Sequence, residues 1–331
     1  MKVKVFSVRK LLMLALAVVF VVAAVAILRS QHSGAGKDDF VEYKMSVASD
    51  IPTAVAAAPD GAVWVTLDFA DSMGLIRDGK LERISKGRKS VEPVGLAVDA
   101  NGAAWFTDPT AVLISRIVPG GQIESFPLGT PIARLGRLAV APDGAVWFAE
   151  STALGFTRLK DGKLTRHEVK SLRGGPYGVA VDAKGNVWGT LQQGNQLVRI
   201  AAGKEEMEEF ELPTSGSAPS DVAVDPSGNV WVVEFRSNKI AKFSEGKFSE
   251  ITIPGEWASL TGIAAAADGS VWFGMLRAHA LGRIRDGQFT MFELPRKDAR
   301  PYTIAIDKTG NVWYADIGGY VGMLKASAAK K

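Results

Sequence analysis

Residues 175–190, "GPYGVAVDAKGNVWGT", decide how the rest of the chain is read. A proline opens the stretch, an alternating apolar run follows, a glycine-bearing turn reverses the chain, and a tryptophan starts a second run. Alternation bounded by turn formers is the pattern of a half-buried β-strand. The stretch is therefore strand, turn, strand, and it holds no obvious catalytic group. Its weight comes from repetition. Gly-x-x-Trp recurs at Trp64, Trp105, Trp147, Trp188, Trp231, Trp272 and Trp313, with spacings of 41, 42, 41, 43, 41 and 41. Only Trp257 stands off this ladder.

Each copy holds four short β-like runs. In residues 219–254 they are "DVAV", "VWVVE", "KIAKF" and "FSEITI", separated by "DPSGN", "RSN" and "SEGK". These separators are rich in turn residues. Helical periodicity is absent after residue 40. Four strands at a period of about 40 residues mark a propeller blade. The sequence thus predicts an all-β fold, a seven-bladed β-propeller with four-stranded blades over residues 40–326. The last copy, ending "YVGMLKASAAKK", lacks a fourth strand, and "FVEYKMSV" at 40–47 resembles fourth strands such as "FTMFELP". The N-terminal segment is expected to complete the last blade and remove the exposed edge. Residues 327–331 read as a basic tail.

The N-terminus has its own signature. Lys2, Lys4, Arg9 and Lys10 precede "LLMLALAVVFVVAAVAIL" at 11–28, 18 apolar residues without a charge. This length nearly spans a bilayer core as a helix. Residues 1–10 read as a basic cytoplasmic region, 11–28 as a signal anchor or transmembrane helix, and 29–39 as a linker. The charge bias places the propeller on the extracytoplasmic, periplasmic side of the inner (plasma) membrane. The alternative is secretion after cleavage near "AVA" at 24–26.

The chain of 331 residues has no cysteine, which excludes disulfides, thiolate metal sites and a cysteine nucleophile. A net charge of +4 with no basic stripe interleaved with aromatics argues against a nucleic-acid partner. No G-x-S-x-G, H-E-x-x-H or G-x-x-x-x-G-K motif occurs, so nucleophile-elbow hydrolase, zincin and P-loop readings lack support.

Seven units built as "GPYGVAVDAKGNVW", with "WFTD", "WFAE", "SNKIAKF" and "LGRI" elsewhere, resemble the streptogramin lyase (virginiamycin B lyase) family. The likeness covers about residues 45–325. It implies a propeller that opens cyclic depsipeptides of the streptogramin B type by elimination at the ester, with Mg2+. It also implies two histidines and a glutamate in "RPHAI"-like and "EPHGI"-like motifs. The matching stretches here are "SLTGI" at 259–263 and "RPYTI" at 300–304. Thr261 and Tyr302 stand at the histidine positions, and Arg300 replaces the glutamate. Threonine is no base near neutral pH, tyrosine is a poor one, and arginine repels a cation.

In such a blade the first strand starts at the rim to which the second strand returns. That rim is expected to gather Thr53, Val94, Arg137, Tyr177, Ser220, Thr261 and Tyr302, with Arg137 taken in the "P-x-G" phase of the other copies. Aromatic, hydroxyl and cationic groups around an opening suit a ligand pocket. They equally suit a plug. The positions three residues after each ladder tryptophan include Asp108, Glu150, Glu234 and Asp316. Four rim carboxylates can hold a hard cation. They can also pair with a neighbouring cation or amide. The "D-x-x-G-N" turns, as at 182–186, read as type I turns led by Asp rather than as calcium loops.

The histidines are few. His32 falls in the linker and His167 in an outer strand, where solvation is expected. His279 sits seven residues after Trp272, where other copies carry Asn195 and Asn238; it is a turn residue or a rim-facing functional group.

The leading expectation is a membrane-tethered propeller that binds a small molecule, peptide or glycan at the channel rim. The alternatives are an enzyme acting on a cyclic ester, either a diverged C–O lyase or a lactone hydrolase, and a protein-interaction propeller of NHL type.

Overall fold

The computed structural model describes residues 31–170 and 174–330. Seven antiparallel sheets of four blade strands each form blades 1 to 7 around a central channel. Their innermost strands are Ile51–Ala57, Leu96–Val98, Leu135–Val140, Pro176–Val181, Pro219–Val224, Leu260–Ala265 and Pro301–Ile306. The second strand of each blade carries the ladder tryptophan, as in Val187–Leu191, and pairs antiparallel with the first. First strands start, and second strands end, at one face of the ring, called here the top rim.

Closure is achieved as the missing fourth strand requires. Phe40–Lys44 pairs antiparallel with Tyr320–Leu324, from Phe40 opposite Leu324 to Lys44 opposite Tyr320. The strand is shorter than the 40–47 expected: Met45 N–H still donates to Gly319 O at 3.0 Å, and the chain then turns at residue 46. Side chains reinforce the seam. The Tyr314 hydroxyl donates to Glu42 Oε1 at 3.1 Å, and Arg296 Nε lies 3.2 Å from the same carboxylate. Gly322 leaves the space that the Tyr314 ring fills, and a Cβ there would collide with that ring.

The core is divided among seven apolar clusters, one per blade interface. Trp231 of blade 5 packs with Ile263, Val271 and Phe273 of blade 6. Trp313 of blade 7 packs with Val55, Val63 and Val65 of blade 1. Each ladder tryptophan is thus buried against the following blade, since one blade alone covers only one of its faces.

The indoles are also clamped at the opposite, bottom rim. Asp225 Oδ2 accepts from Trp231 Nε1 at 2.9 Å, while its Oδ1 accepts the Ser227 and Asn229 amides. Asp99, Asp182 and Asp307 do the same for Trp105, Trp188 and Trp313. The "D-x-x-G-N" aspartates therefore close their turns and hold the tryptophan of the next strand.

Both ends of the described chain are docked. Gln31–His32, in the expected linker, pairs parallel with the outer strand Gln288–Glu293 of blade 6. The expected basic tail instead forms a helical turn, Ala326–Ala329, with Ala328 and Ala329 buried among Trp272 and Phe292. Arg283 Nη1 donates to Ala329 O at 2.6 Å. The small alanine side chains fit the gap between blades 6 and 7, which explains why this segment folds. Among the described residues no helix is long and apolar enough to cross a membrane. The apolar run at 11–28 lies outside the described residues.

Candidate ligand-binding site

Most of the expected ring residues do gather at the top of the channel. Tyr177, Ser220, Thr261 and Tyr302 line a cavity of about 170 Å³, together with Gln192, Phe235 and Leu260. The hydroxyls of Tyr177 and Tyr302, from blades 4 and 7, meet at 3.0 Å. Thr53 is turned into its own blade boundary, where its hydroxyl lies 3.0 Å from that of Thr66 and 3.1 Å from Pro93 O. Val94 contributes its carbonyl rather than its side chain.

Arg137 is not in the outer ring where the "P-x-G" phase puts it. Leu135 pairs with Glu150 and Leu138 with Phe148, as Pro176 pairs with Leu191 and Val179 with Gly189. Gly136 is thus the counterpart of Tyr177, and Arg137 lies one residue deeper. It shares that level with Asp221, the counterpart of Gly178. Gly136 is needed there, because a Cβ would strike the Tyr177 backbone.

The deeper level explains what Arg137 does. Its Nη1 donates to Val94 O at 2.8 Å, and its Nε stands 3.5 Å from Asp221 Oδ2. Its guanidinium lies 5.6 Å from the Tyr177 ring centre and 5.4 Å from that of Tyr302, within cation–π range. Arg137 and Asp221 are both 8% exposed, so the pair forms a buried floor. Beneath it a second cavity of about 120 Å³ is lined by Val55, Leu96, Leu138, Val179, Val222 and Ile304.

Electrostatics follow from burial. Burial pushes the Tyr177 phenol up, outweighing the opposing pull of Arg137, so it stays protonated. Burial also raises the Asp221 carboxyl, with Arg137 opposing. For Arg137 burial favours the neutral form, but Asp221 and the two tyrosines outweigh it and raise its pKa. Two buried polar atoms at the floor and wall, Arg137 Nε and Ser220 Oγ, have no hydrogen-bond partner among the described residues.

Comparison with known proteins now bears on these residues. The chain matches the sequence profile of the virginiamycin B lyase family over residues 27–158 and 130–329. The chain belongs to the virginiamycin B lyase family. A virginiamycin B lyase of Nocardia farcinica (strain IFM 10152) is 31% identical over 166 residues, which are 50% of this chain and 57% of that protein. Among solved structures, a streptogramin B lyase superposes with a TM-score of 0.82 at 25% identity, covering 86% of this chain and 96% of that one. A catalytically inactive histidine-to-alanine variant of Staphylococcus aureus virginiamycin B lyase, solved with quinupristin, gives 0.81 at 26% identity, covering 86% and 98%.

The structure places the three residues that the resemblance sets at the lyase motif positions. Thr261 is buried and its hydroxyl donates to Pro301 O at 2.8 Å. Gly274 leaves the space for that hydroxyl, since a Cβ there would overlap it. The Tyr302 phenol is bonded to Tyr177. Arg300 is exposed and bonded through its backbone, its N–H donating to Asp316 Oδ1 at 2.9 Å and its carbonyl accepting from the Ile317 N–H at 3.2 Å. These residues do not fit the magnesium ion that the resemblance implies. None of the three is a carboxylate, Asp316 beside Arg300 is paired with Arg296, Asp221 is held by Arg137, and a hard cation needs oxygen ligands free of such competitors.

The rim carboxylates are spread over four blades and each has protein partners. Asp108 accepts the Ala111 amide at 3.2 Å, with Arg88 Nε at 3.8 Å. Glu150 accepts from Thr157 Oγ1 and pairs with Arg166 at 3.0 Å. Asp316 pairs with Arg296 and accepts the Gly318 amide at 2.7 Å. Glu234 accepts from Ser237 Oγ at 2.6 Å, and burial pushes its carboxyl up to about 7, with Glu250 adding to the rise. Among the described residues no three such groups converge as metal ligands.

His279 adopts φ 52°, close to the 56° of Asn195 and 55° of Asn238, and its Nδ1 lies 2.7 Å from Ala299 O. It sits at the blade 6 turn and does not line the central cavity. His167 is not solvated as expected. It is 8% exposed, packs 5.0 Å from Trp147, and has Nδ1 3.0 Å from Glu205 O. The reading of the sequence missed Asp221, Gln192 and Phe235. Asp221 had a signal: it stands ten residues before Trp231, where blades 2, 4 and 6 carry Gly95, Gly178 and Gly262.

Proposed function

We propose that this propeller is a binding module of the virginiamycin B lyase family, one that holds a ligand in the cup between Tyr177 and Tyr302 without transforming it. The carrying observation is the state of the three lyase positions. A tied hydroxyl, a bonded phenol and an exposed guanidinium provide neither a proton acceptor near neutral pH nor a metal ligand set. What the cup does provide is an aromatic wall, a buried ion pair at the floor and an unpartnered Ser220 hydroxyl. This mixture of apolar walls and a few fixed polar groups suits binding.

A second reading keeps an enzyme acting on a cyclic ester. The protonated Tyr177 and the buried Arg137 are donors of the kind that stabilise an oxyanion. That reading lacks a base.

We also propose that the propeller is extracytoplasmic and tethered by residues 11–28, on the strength of the basic-then-apolar order of residues 2–28. Fusions at the C-terminus test this: a reporter active only in the cytoplasm must stay silent, and its activity overturns the topology. For binding, a thermal-shift screen of cell-envelope metabolites must give a concentration-dependent rise in midpoint that Tyr302→Ala abolishes. A screen with no such ligand counts against the cup.

A further inference from the structure

The two rims of the ring differ sharply in surface chemistry. Among the described residues the exposed large apolar side chains are Val47, Phe69, Val91, Ile132 and Trp257. All five stand in loops of the top rim, the face that holds the cup. Ile132 is 69% exposed, Phe69 53% and Trp257 43%, so these are presented side chains rather than core residues at an edge. Basic groups share that face. Lys89, Arg134, Arg236, Lys297 and Arg300 are exposed there and have no ion-pair partner within 4 Å among the described residues, and Arg277 lies 4.7 Å over the Trp257 ring. Among the described residues the exposed acids of the top loops are fewer: Asp71, which pairs with Arg83, Glu92, Glu256, and Asp298, which pairs with Arg296. The bottom rim shows no such apolar tips among the described residues, and its aspartate-led turns, as at Asp78 and Asp161, are flanked by exposed basic residues such as Lys80 and Lys163.

The aromatic surface is continuous from the cup outwards. Phe235 lines the cavity, its ring meets Trp257 edge-on at 5.9 Å, and Trp257 Nε1 donates to Phe235 O at 3.0 Å. The cup itself is small. Its volume of about 170 Å³ is below the range that encloses a drug-sized ligand, and it accepts one large side chain.

We infer that the top rim binds an acidic peptide segment, with one aromatic or aliphatic side chain seated in the cup and flanking carboxylates facing Arg134, Arg277 and Arg300. This rests on the binding reading above and names the ligand class for it. A small molecule filling the cup leaves the apolar tips and the free basic groups unused. A glycan has no matching apolar anchor. Charge complementarity favours acidic flanks, and it steers their approach. The Trp257 ring adds apolar contact beside Arg277.

The test uses the full chain in detergent micelles against a displayed library of random decapeptides. Enrichment of one aromatic or aliphatic residue flanked by Asp and Glu supports the inference. A synthetic copy of an enriched peptide must then bind less tightly as salt rises. Its affinity must fall about tenfold or more on combined Arg134→Glu, Arg277→Glu and Arg300→Glu, because three rim attractions become like-charge repulsions. Tyr177→Ala must erase the preference for the large central residue. Selected peptides without acidic enrichment overturn the inference. So does the absence of any peptide when anionic vesicles bind the wild type better than the charge-reversed variant, which gives the rim to a membrane surface. A small molecule that raises the midpoint through Tyr302, with no peptide selected, overturns the inference and leaves the binding site standing. Failure of peptides, vesicles and small molecules together overturns both.

Discussion

The hydroxyls of Tyr177 and Tyr302, 125 residues apart in the chain, meet at 3.0 Å across the channel mouth. Below them Arg137 and Asp221 face each other at 3.5 Å. Four residues from blades 3, 4, 5 and 7 thus tie the ring together through its middle. Breaking a buried pair strands a charge and costs about 3–5 kcal/mol. Arg137→Ala and Asp221→Ala are each expected to lower stability by about that much in urea titrations. The double replacement Arg137→Met with Asp221→Leu should cost less than either alanine variant, because it leaves no orphan charge.

The aspartate clamps at the bottom rim give a second prediction. Asp225→Ala removes the acceptor of Trp231 Nε1 and of two turn amides. The expected loss is about 1.5–3 kcal/mol, the range for hydrogen bonds to a charged group. Blade 6 is the internal control. There Trp272 Nε1 donates to Ser270 Oγ at 3.1 Å, not to Asp268. Asp268→Ala should therefore cost less than Asp225→Ala in the same unfolding assay.

Acid should act through these clamps. For Asp225 and Asp307 burial favours the neutral form, but bonds from the tryptophan, the asparagine and the turn amides outweigh it and lower the pKa. Their folded-state pKa lies below the unfolded value. The stability they contribute is present above the ordinary aspartate pKa of about 3.9 and is lost as pH falls through the depressed value. Asp225→Asn with Asp307→Asn should make the thermal midpoint less steep with pH in that acid range.

Glu234 works with the opposite sign. Its carboxyl is raised to about 7 by burial, so the folded state holds a proton that the unfolded state releases near the ordinary glutamate range. Stability is expected to fall as pH rises from about 4.3 to about 7. Glu234→Gln should flatten the midpoint over that interval while leaving the acid limb unchanged. A slope there that is identical in the variant and the wild type contradicts the assignment.

The seam between Phe40–Lys44 and Tyr320–Leu324 closes the ring. Truncation through residue 46 removes that strand with Glu42 and opens an edge, so a large fall in midpoint and aggregation are expected. Among the described residues, truncation through residue 36 removes the pairing of Gln31–His32, the bond from the Ser33 N–H to Met291 O and the packing of Ala35, and should leave a folded, soluble domain. Light scattering and thermal unfolding of the two truncations separate these outcomes.

The blades were legible because burial of Trp64 and its six counterparts demands a neighbour, and a fixed period puts that neighbour within reach. The missing fourth strand was legible for the same reason: an open edge needs a partner, and "FVEYK" had none nearer. The site was legible only in part. Tyr177, Ser220, Thr261 and Tyr302 follow a proline or leucine at a fixed distance from the tryptophan. Arg137 follows a glycine instead, and counting back from Trp147 gives ten residues, not the eleven between Tyr177 and Trp188. Asp221 was hidden because it replaces a glycine, and its role exists only once Arg137 reaches it from two blades away. The docked Ala328 and Ala329 were hidden because small side chains give no apolar pattern until the gap they fill is known.

The claim that the cup binds without catalysis is tested most directly on quinupristin. The full chain is incubated with quinupristin and magnesium, and products are followed by chromatography with fragmentation mass spectrometry. Elimination at the ester gives an isomer of unchanged mass with a new retention time and a linear fragmentation pattern, whereas hydrolysis adds one water. The account predicts intact cyclic quinupristin, because Thr261, Arg300 and Tyr302 supply neither a base nor a metal ligand set. Either ring-opened product, formed by the wild type and lost in Tyr302→Phe, contradicts it.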